Sequence, residues 1–398
     1  MQPLFHSTMK IGLVLSSVPP YSETFFNSKI NGLAKVGFEI LLFASGKQNR
    51  NLLCKLVNPY TVPASGFFRV VMVLIVLPYT FLRSPGNVLR LWRYERDSGL
   101  GIISTIRRLY LNAHILVHKV DWIHFGFASV AIDRENVARA IGAKMAVSLR
   151  GYDINVYPIK NPGCYNLLWS RVDQVHSISN YLLQKAYSIG LSRSKPAFII
   201  TPAIAIQGDP KDSYELHDPI QVLTVGRLVE IKGLQYGIRA MADLKSAGLR
   251  IKYTIVGDGP ELENLLQETN SQGLNEEVIF VGRLSHEKAI ERMRDCDVYI
   301  QPSLNEGFCN SVLEAQAVGC LCIVSDVGAL PENIVRHETG WLVPSMDASR
   351  LAASIMEVIQ LPLSKKIEVT NRAKQRIRDS FAIEAHVAVW KEFYKDKR

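Results

Sequence analysis

At 398 residues, with hydrophobic residues at 47% and charged residues at 21%, the chain is too long for one ordinary core and too apolar for a large disordered part. Two domains of roughly 200 residues are expected. A formal net charge of +9 admits nucleic acid, an anionic membrane or phosphorylated substrates, and the location of the charge decides among them.

The first half alternates strands and helices. Residues 10–15 read as an apolar strand, and no charged and apolar regions of a signal peptide precede it. Residues 23–36 read as an amphipathic helix with Phe25, Phe26, Ile30, Leu33 and Ala34 on one face, and 38–44 as a second strand. Residues 70–77 are wholly apolar, and Phe67, Phe68, Tyr79, Phe81 and Leu82 extend the run around Arg69 and Pro78. It falls short of the ~20 residues of a spanning helix, so it is a core helix or an interfacial one. Between 83 and 119, seven Lys/Arg stand against two acids, a local +5 and more than half of the chain's surplus. An apolar helix beside a basic one containing Trp and Tyr favours docking on an anionic membrane surface. It disfavours nucleic acid, which would want the cations among stacking aromatics.

Strands follow at 121–125, 144–149, 174–177 and 197–200, with a helical stretch near 131–141. Turn formers without an apolar period fill 207–219. The alternation then restarts with strands at 221–225, 252–256, 278–281, 298–301 and 321–325. Residues 381–395 carry Phe381, Ile383, Val387, Trp390, Phe393 and Tyr394 and read as a helix closing the chain against one or both domains. The expected fold class is α/β, two Rossmann-like doubly wound domains facing a cleft lined by strand C-terminal ends. Domain bounds fall at 1–207, with the apolar and basic insert at 65–119, then a linker at 208–219, a second domain at 220–378 and the closing helix at 379–398. The cysteines Cys54, Cys164, Cys296, Cys309, Cys320 and Cys322 have neither zinc-pair spacing nor the pattern of a disulfide framework. A reduced, cytoplasmic setting is expected.

The chemistry concentrates at Glu306-Gly307-Phe308-Cys309-Asn310-Ser311-Val312-Leu313-Glu314. A strand tip, a glycine turn and a helix start are compressed into this stretch, with a carboxylate at each end. The positive helix end suits a phosphate. Two flanking carboxylates suit hydroxyls on either side of it, as in a nucleotide sugar; a solvated loop with two surface glutamates is the plainer alternative. Upstream, Gly226 ends a strand and lets a ligand approach the backbone. Arg227 and Lys232 then offer two cations for a diphosphate.

Gly226-Arg227 with Lys232-Gly233, Val256-Gly257-Asp258-Gly259-Pro260, Phe280-Val281-Gly282, Pro302-Ser303 with Glu306-Gly307-Phe308, and the pair Glu306 and Glu314 follow in order at set spacings. Together with Asp326-Val327-Gly328-Ala329-Leu330-Pro331-Glu332 and Thr339-Gly340-Trp341-Leu342-Val343-Pro344, they resemble the donor domain of family-4 retaining glycosyltransferases of the GT-B fold. Ser22-Glu23-Thr24-Phe25 and Arg150-Gly151-Tyr152-Asp153 resemble the subgroup that builds bacterial surface polysaccharides. The resemblance implies that Arg227 and Lys232 hold the diphosphate and stabilise its growing charge. It gives Glu306 the donor-sugar hydroxyls, and lays the backbone of Gly307, Phe308 and Cys309 along that sugar. N–H groups near Ser311 and Val312 would face a phosphate, Glu314 the ribose, and Gly282-Arg283-Leu284 the base. It further implies transfer with retention to a lipid-linked glycan acceptor, with no metal or other cofactor, by an enzyme peripheral to the inner face of the cytoplasmic membrane.

The first domain departs from this family. The loop after the first strand reads Ser16-Ser17-Val18-Pro19-Pro20 where many members have a glycine pair. Many members carry a His-x-His, the second His meeting the donor sugar, and this chain has one histidine in Ile123-His124-Phe125-Gly126. Without a gap, His124 takes the first place and Gly126 the second; with a two-residue deletion, His124 is the site histidine, and that alignment is preferred. Arg150 stands where a His is common and would meet an anionic acceptor or donor group, or pair with Asp153. Asp295-Cys296-Asp297 spells a metal-binding D-x-D, but it closes a helix and opens a strand, so Asp297 reads as structural. Gly257-Asp258-Gly259-Pro260 lacks the third glycine of a dinucleotide loop. Two other readings stay open: a sugar-nucleotide 2-epimerase of the same fold, and a non-catalytic nucleotide-sugar-binding protein.

Overall fold

The computed structural model describes residues 9–19, 24–49, 51–62, 64–204, 211 and 213–395. Pro20 of the first loop, Ser22 and Glu23 of the subgroup motif, and Gly208, Asp209, Pro210 and Asp212 of the linker lie outside the described residues. The chain divides into two compact units, one of Met1–Ile178, Leu182–Ile200 and Val387–Arg398, the other of Ser179–Tyr181 and Thr201–His386.

In the first unit the strands are β1 (Lys10–Ser17), β2 (Glu39–Ser45), β3 (Lys55–Val57), β4 (Trp122–Phe125), β5 (Lys144–Leu149), β6 (Gln174–Ser177) and β7 (Ala197–Ile199). Their order is β3-β2-β1-β4-β5-β6-β7, and the pairings are parallel. Helices on both faces bury β1 from Ile11 to Leu15 without a break, which is why the strand reads as a continuous apolar run. Three helices, Gly66–Arg83, Pro85–Asp97 and Ile102–Leu116, fill the crossover from β3 to β4. The first of them is not a core helix, since its buried residues are Val76 and Thr80. The helix read near 131–141 shrinks to Val137–Ile141, because a 3-10 turn occupies Ser129–Ala131 and Asp133 sits at φ 65°.

The second unit holds β8 (Ile220–Val225), β9 (Ile251–Val256), β10 (Val278–Gly282), β11 (Val298–Gln301), β12 (Leu321–Ser325) and β13 (Trp341–Val343). Their order is β10-β9-β8-β11-β12-β13, again parallel. Alternation along β11 divides the core: Val298 and Ile300 join the apolar layer of Val222, Leu234 and Ile355, while Tyr299 joins that of Cys309, Val312 and Ala315. The winding direction reverses between β8 and β11, so the loops after these two strands flank the switch point where such sheets bind ligands. Leu304 N–H donates to Ile231 O at 2.8 Å and ties the two loops together.

Both units are thus of the doubly wound α/β class read from the sequence. The unit bounds differ from those read. Ile204 bridges Ala382, and Lys211 donates from its backbone to Val318 O and from Nζ to Cys296 O at 2.7 Å, so these two residues belong to the second unit. The last helix, Ile383–Tyr394, ends in the first unit, where Trp390, Phe393 and Tyr394 are buried against β1, β2 and β4 residues.

Candidate active site

The loop after β8 begins at Gly226, whose N–H donates to Val256 O at 2.9 Å. Gly257 packs on it so closely that a Cβ there would lie 1.8 Å from Gly226 O. That contact, not a dinucleotide, accounts for the glycine at 257. Arg227 is exposed, and its guanidinium has no hydrogen bond or ion pair among the described residues. Lys232 ends the 3-10 turn Glu230–Lys232 and aims its Nζ at Glu306 Oε1, 2.5 Å away, with both side chains largely buried. Burial pulls the Lys232 ammonium pKa down, but Glu306 and Cys309 outweigh it and hold it above its ordinary range, against some opposition from Arg227. The Arg227 charge is thus felt at Lys232.

Glu306 is placed from three sides. Ser303 Oγ donates to the same Oε1 at 2.9 Å, Gln301 Nε2 donates to Ser303 Oγ at 2.8 Å, and Tyr299 OH donates to Gln301 Oε1 at 3.0 Å. Tyr299 also bonds Ser311 Oγ at 2.9 Å, which links the strand to the first turn of the helix Asn310–Val318. Behind the loop, Gly328 at φ 57° lies so near that a Cβ would stand 2.4 Å from Glu306 O, and Ala329 N–H donates to that oxygen. Asn333 clasps the Cys309 peptide, accepting from its N–H and donating to its C=O. Gly307 and Cys309 are buried, and Phe308 packs at a tilt against Phe381 with ring centroids 6.0 Å apart. Oε1 is thereby occupied, while Oε2 takes no hydrogen bond among the described residues and can receive a hydroxyl. The first-turn N–H groups at Ser311 and Val312 have no acceptor within the helix. Tyr299 and Gln301 were not singled out from the sequence, and Ser303 entered only as part of a motif; their signal was polar residues at every second position of an otherwise apolar stretch.

On the helix, Glu314 accepts from His286 Nε2 at 3.0 Å. His286 starts the helix His286–Asp295, directly after Gly282-Arg283-Leu284, in which Gly282 and Arg283 are exposed and Leu284 half-buried. His286 is a further residue the sequence did not single out. The bond to Glu314 lifts its pKa above the ordinary 6.5, against burial. A histidine raised in this way stabilises the fold below its unfolded pKa and loses that contribution as pH rises through the folded value. The loss of melting temperature in His286→Ala is therefore expected to be larger at about pH 5.5 than at about pH 9. Equal losses in the two thermal scans would mean that the pair carries no charge.

The first unit corrects the expectation for His124. Its ring is fully buried on β4 under the last helix, where Tyr394 OH bonds Nδ1 at 2.6 Å and Ser148 Oγ bonds Nε2 at 2.8 Å. Ser148 Oγ continues to His176 Nδ1 at 2.7 Å, and His176 Nε2 donates to Ile200 O at 2.9 Å. The carbonyl at the end sets the direction of the chain: Ser148 donates to His176, His124 donates to Ser148, and Tyr394 donates to His124. Burial, with Lys29, His176 and Arg150 nearby, keeps His124 well below its ordinary range and neutral. It is a core histidine, not a sugar contact. Gly126 cannot stand in for it, because a Cβ there would meet Leu15 at 2.2 Å.

Arg150 donates through Nε to Gly126 O at 3.1 Å and lies over the Phe25 and Phe26 rings at 4.0 and 4.5 Å. Asp153 is buried and accepts from Ser129 Oγ at 2.6 Å and Ser129 N–H at 3.2 Å, which makes it a brace for the turn after β4. Burial raises its carboxyl above the usual range. Asp297 of the D-x-D accepts from Gln221 N–H at 2.7 Å and from His217 Nδ1 at 2.9 Å, so it fastens β8 to β11.

Residues 207–378 match the family model described as "Glycosyl transferases group 1". WcaL of Escherichia coli (strain K12), whose name assigns it to colanic acid biosynthesis as a glycosyltransferase, is 27% identical over 94% of this chain and 96% of its own. The amylovoran biosynthesis glycosyltransferase AmsK of Erwinia amylovora is 26% identical over 93% of this chain and 97% of its own. Among solved structures, Anabaena HepE in complex with UDP and glucose has a TM-score of 0.71 at 16% identity, covering 96% of this chain and 98% of that one. At that identity the likeness speaks for the fold. Residues 207–378 are thus similar to a group 1 glycosyltransferase domain, and the chain that holds them has the fold of its GT-B neighbours.

Proposed function

We propose that the chain is a family-4 retaining glycosyltransferase, metal-independent, that moves a hexose from a UDP- or GDP-sugar to a lipid-linked or growing glycan. The product would be a bacterial surface polysaccharide: capsule, exopolysaccharide or lipopolysaccharide. One observation carries the reading: the Lys232–Glu306 pair at the switch point, with exposed Arg227 beside it and the helix Asn310–Val318 starting just beyond. The names of WcaL and AmsK, both polysaccharide glycosyltransferases, support the product class, and the UDP and glucose of HepE support the donor class.

In this reading Arg227 and Lys232 balance the charge that gathers on the diphosphate as the bond from the sugar's anomeric carbon to phosphate breaks. Glu306 Oε2 holds a sugar hydroxyl beside the backbone of Gly307, Phe308 and Cys309. The helix N-terminus at Ser311 and Val312 takes a phosphate oxygen. Glu314 takes the ribose, and Gly282, Arg283 and Leu284 border the base. The acceptor oxygen joins the anomeric carbon on the face the phosphate leaves, and its proton passes to that phosphate, so no side chain serves as base. Arg150, held over its phenylalanines, meets an anionic acceptor or donor group. The enzyme works peripherally on the cytoplasmic face of the inner membrane.

Calorimetric titration with UDP, GDP and ADP in the presence of EDTA, followed by a sugar panel on the preferred base with a glycan acceptor, tests this. One base is expected to bind at least about tenfold tighter than the others, and NMR of the product should show the donor's anomeric configuration. Absence of binding, a need for metal or an inverted product would overturn the reading. Conversion of the donor without acceptor would make the protein an epimerase, and binding with neither transfer nor hydrolysis a non-catalytic one.

A further inference from the structure

The helix Gly66–Arg83 meets water with the wrong chemistry. Val76 and Thr80, with Met72, Val73 and Leu77 half-buried beside them, pack towards Tyr110 and Ala113 of the helix Ile102–Leu116. The remaining surface carries Phe67, Phe68, Leu74, Ile75 and Leu82, which are 73, 58, 68, 58 and 82% exposed. A helix packed on one side ordinarily turns polar residues to solvent. Here both sides are apolar, and a contiguous exposed patch of that kind marks a docking surface.

The charge around the patch identifies the partner. Arg69 and Arg83 stand near the two ends of the helix, and after the single residue Ser84 the helix Pro85–Asp97 adds Arg90, Arg93 and Arg96, all exposed. Glu95 on that helix is buried and paired with Arg108, which leaves Asp97 as its only exposed acid. An apolar face on a segment whose exposed charges are almost all cationic fits an anionic lipid headgroup layer. A second copy fits it poorly, because a symmetric contact would set one arginine-rich segment against another.

We propose that the helix Gly66–Arg83 is a monotopic anchor: it beds side-on in the boundary between headgroups and acyl chains of an anionic leaflet, with exposed arginines of this segment reaching lipid phosphates. It lies in the membrane and does not cross it. One flank is held by Tyr110 and Ala113, and its C-terminal end turns at Ser84 into an arginine-bearing helix of the same unit. Its length of about 27 Å also falls just short of the hydrocarbon core. This goes beyond the glycosyl-transfer reading in fixing the mode of attachment, and it does not depend on which sugar is moved.

The test is co-sedimentation of the full chain with vesicles of phosphatidylcholine alone and of phosphatidylcholine mixed with phosphatidylglycerol. Binding is expected to the mixed vesicles and to weaken with salt. The double substitution Leu74→Glu with Leu82→Glu, both at solvent-facing positions, should weaken it by at least about tenfold while the melting temperature stays within the wild-type range. Failure of the wild type to bind mixed vesicles at low salt, or unchanged binding of the double variant, overturns the proposal. Retention in membranes through alkaline carbonate extraction would overturn side-on docking in favour of a crossing helix. A wild-type dimer in sedimentation velocity that the same substitutions dissolve would assign the face to self-association and overturn it too. Vesicle binding without affinity for any nucleotide would leave the anchor standing and remove the transferase reading.

Discussion

Replacing Glu306 by alanine is expected to lower kcat/KM for the sugar donor by at least about 10². Two losses add up in this estimate. The donor hydroxyl forfeits a charge-assisted hydrogen bond worth about 1.5–3 kcal/mol. Lys232, buried and opposed by burial in keeping its proton, also loses the carboxylate that holds it; breaking a buried pair from one side costs about 3–5 kcal/mol. Steady-state kinetics should show the loss mainly in kcat if Glu306 grips the sugar harder as it departs, and in KM if it grips both states alike. A variant that folds normally and keeps kcat/KM within about threefold of wild type would remove Glu306 from the donor site.

Lys232→Ala is expected to cost about 10²–10³ in kcat, the usual effect of deleting one donor from a site of growing negative charge. The two substitutions should not add. Lys232 and Glu306 share one contact, so the doubly substituted enzyme is expected to lose less than the product of the two single losses. Full additivity in the cycle would mean that the pair seen in the free protein plays no part once the donor is bound. Lys232→Arg should not rescue, because a rigid guanidinium fork does not fit where a nearly buried ammonium meets a Glu306 oxygen that also accepts from Ser303.

Much of the candidate site was legible in the sequence because its residues lie close together in the chain. Glycines at strand tips, the Arg227–Lys232 spacing and the two glutamates bracketing a helix start all lie within short stretches, and the period-2 and period-3.6 patterns around them set the strands and the helix. The motif at Asp326–Glu332 was visible as well, but its reason was not: Gly328 is a glycine because the Glu306 backbone runs against it. The partners of the two glutamates, Ser303 for Glu306 and His286 for Glu314, come from strand alternation and from a neighbouring helix, and spacing does not announce either. The three-residue edge strands β3 and β13 escaped, although β7 of the same length was read.

By itself, then, the sequence determined two parallel α/β units, the loops of the candidate site and their likeness to glycosyltransferases, since each of these rests on residues close together in the chain. Contacts between distant segments decided the rest. Tyr394 lies 270 residues from His124, and the hydrogen bond between them makes that histidine part of the core. Likewise, composition marked the stretch around 70–77 as apolar, but only its packing against Tyr110 and Ala113 showed that a second apolar side is left facing outward. Periodicity tells that a segment has a buried face; what covers that face, and what does not, is settled by the other elements of the fold.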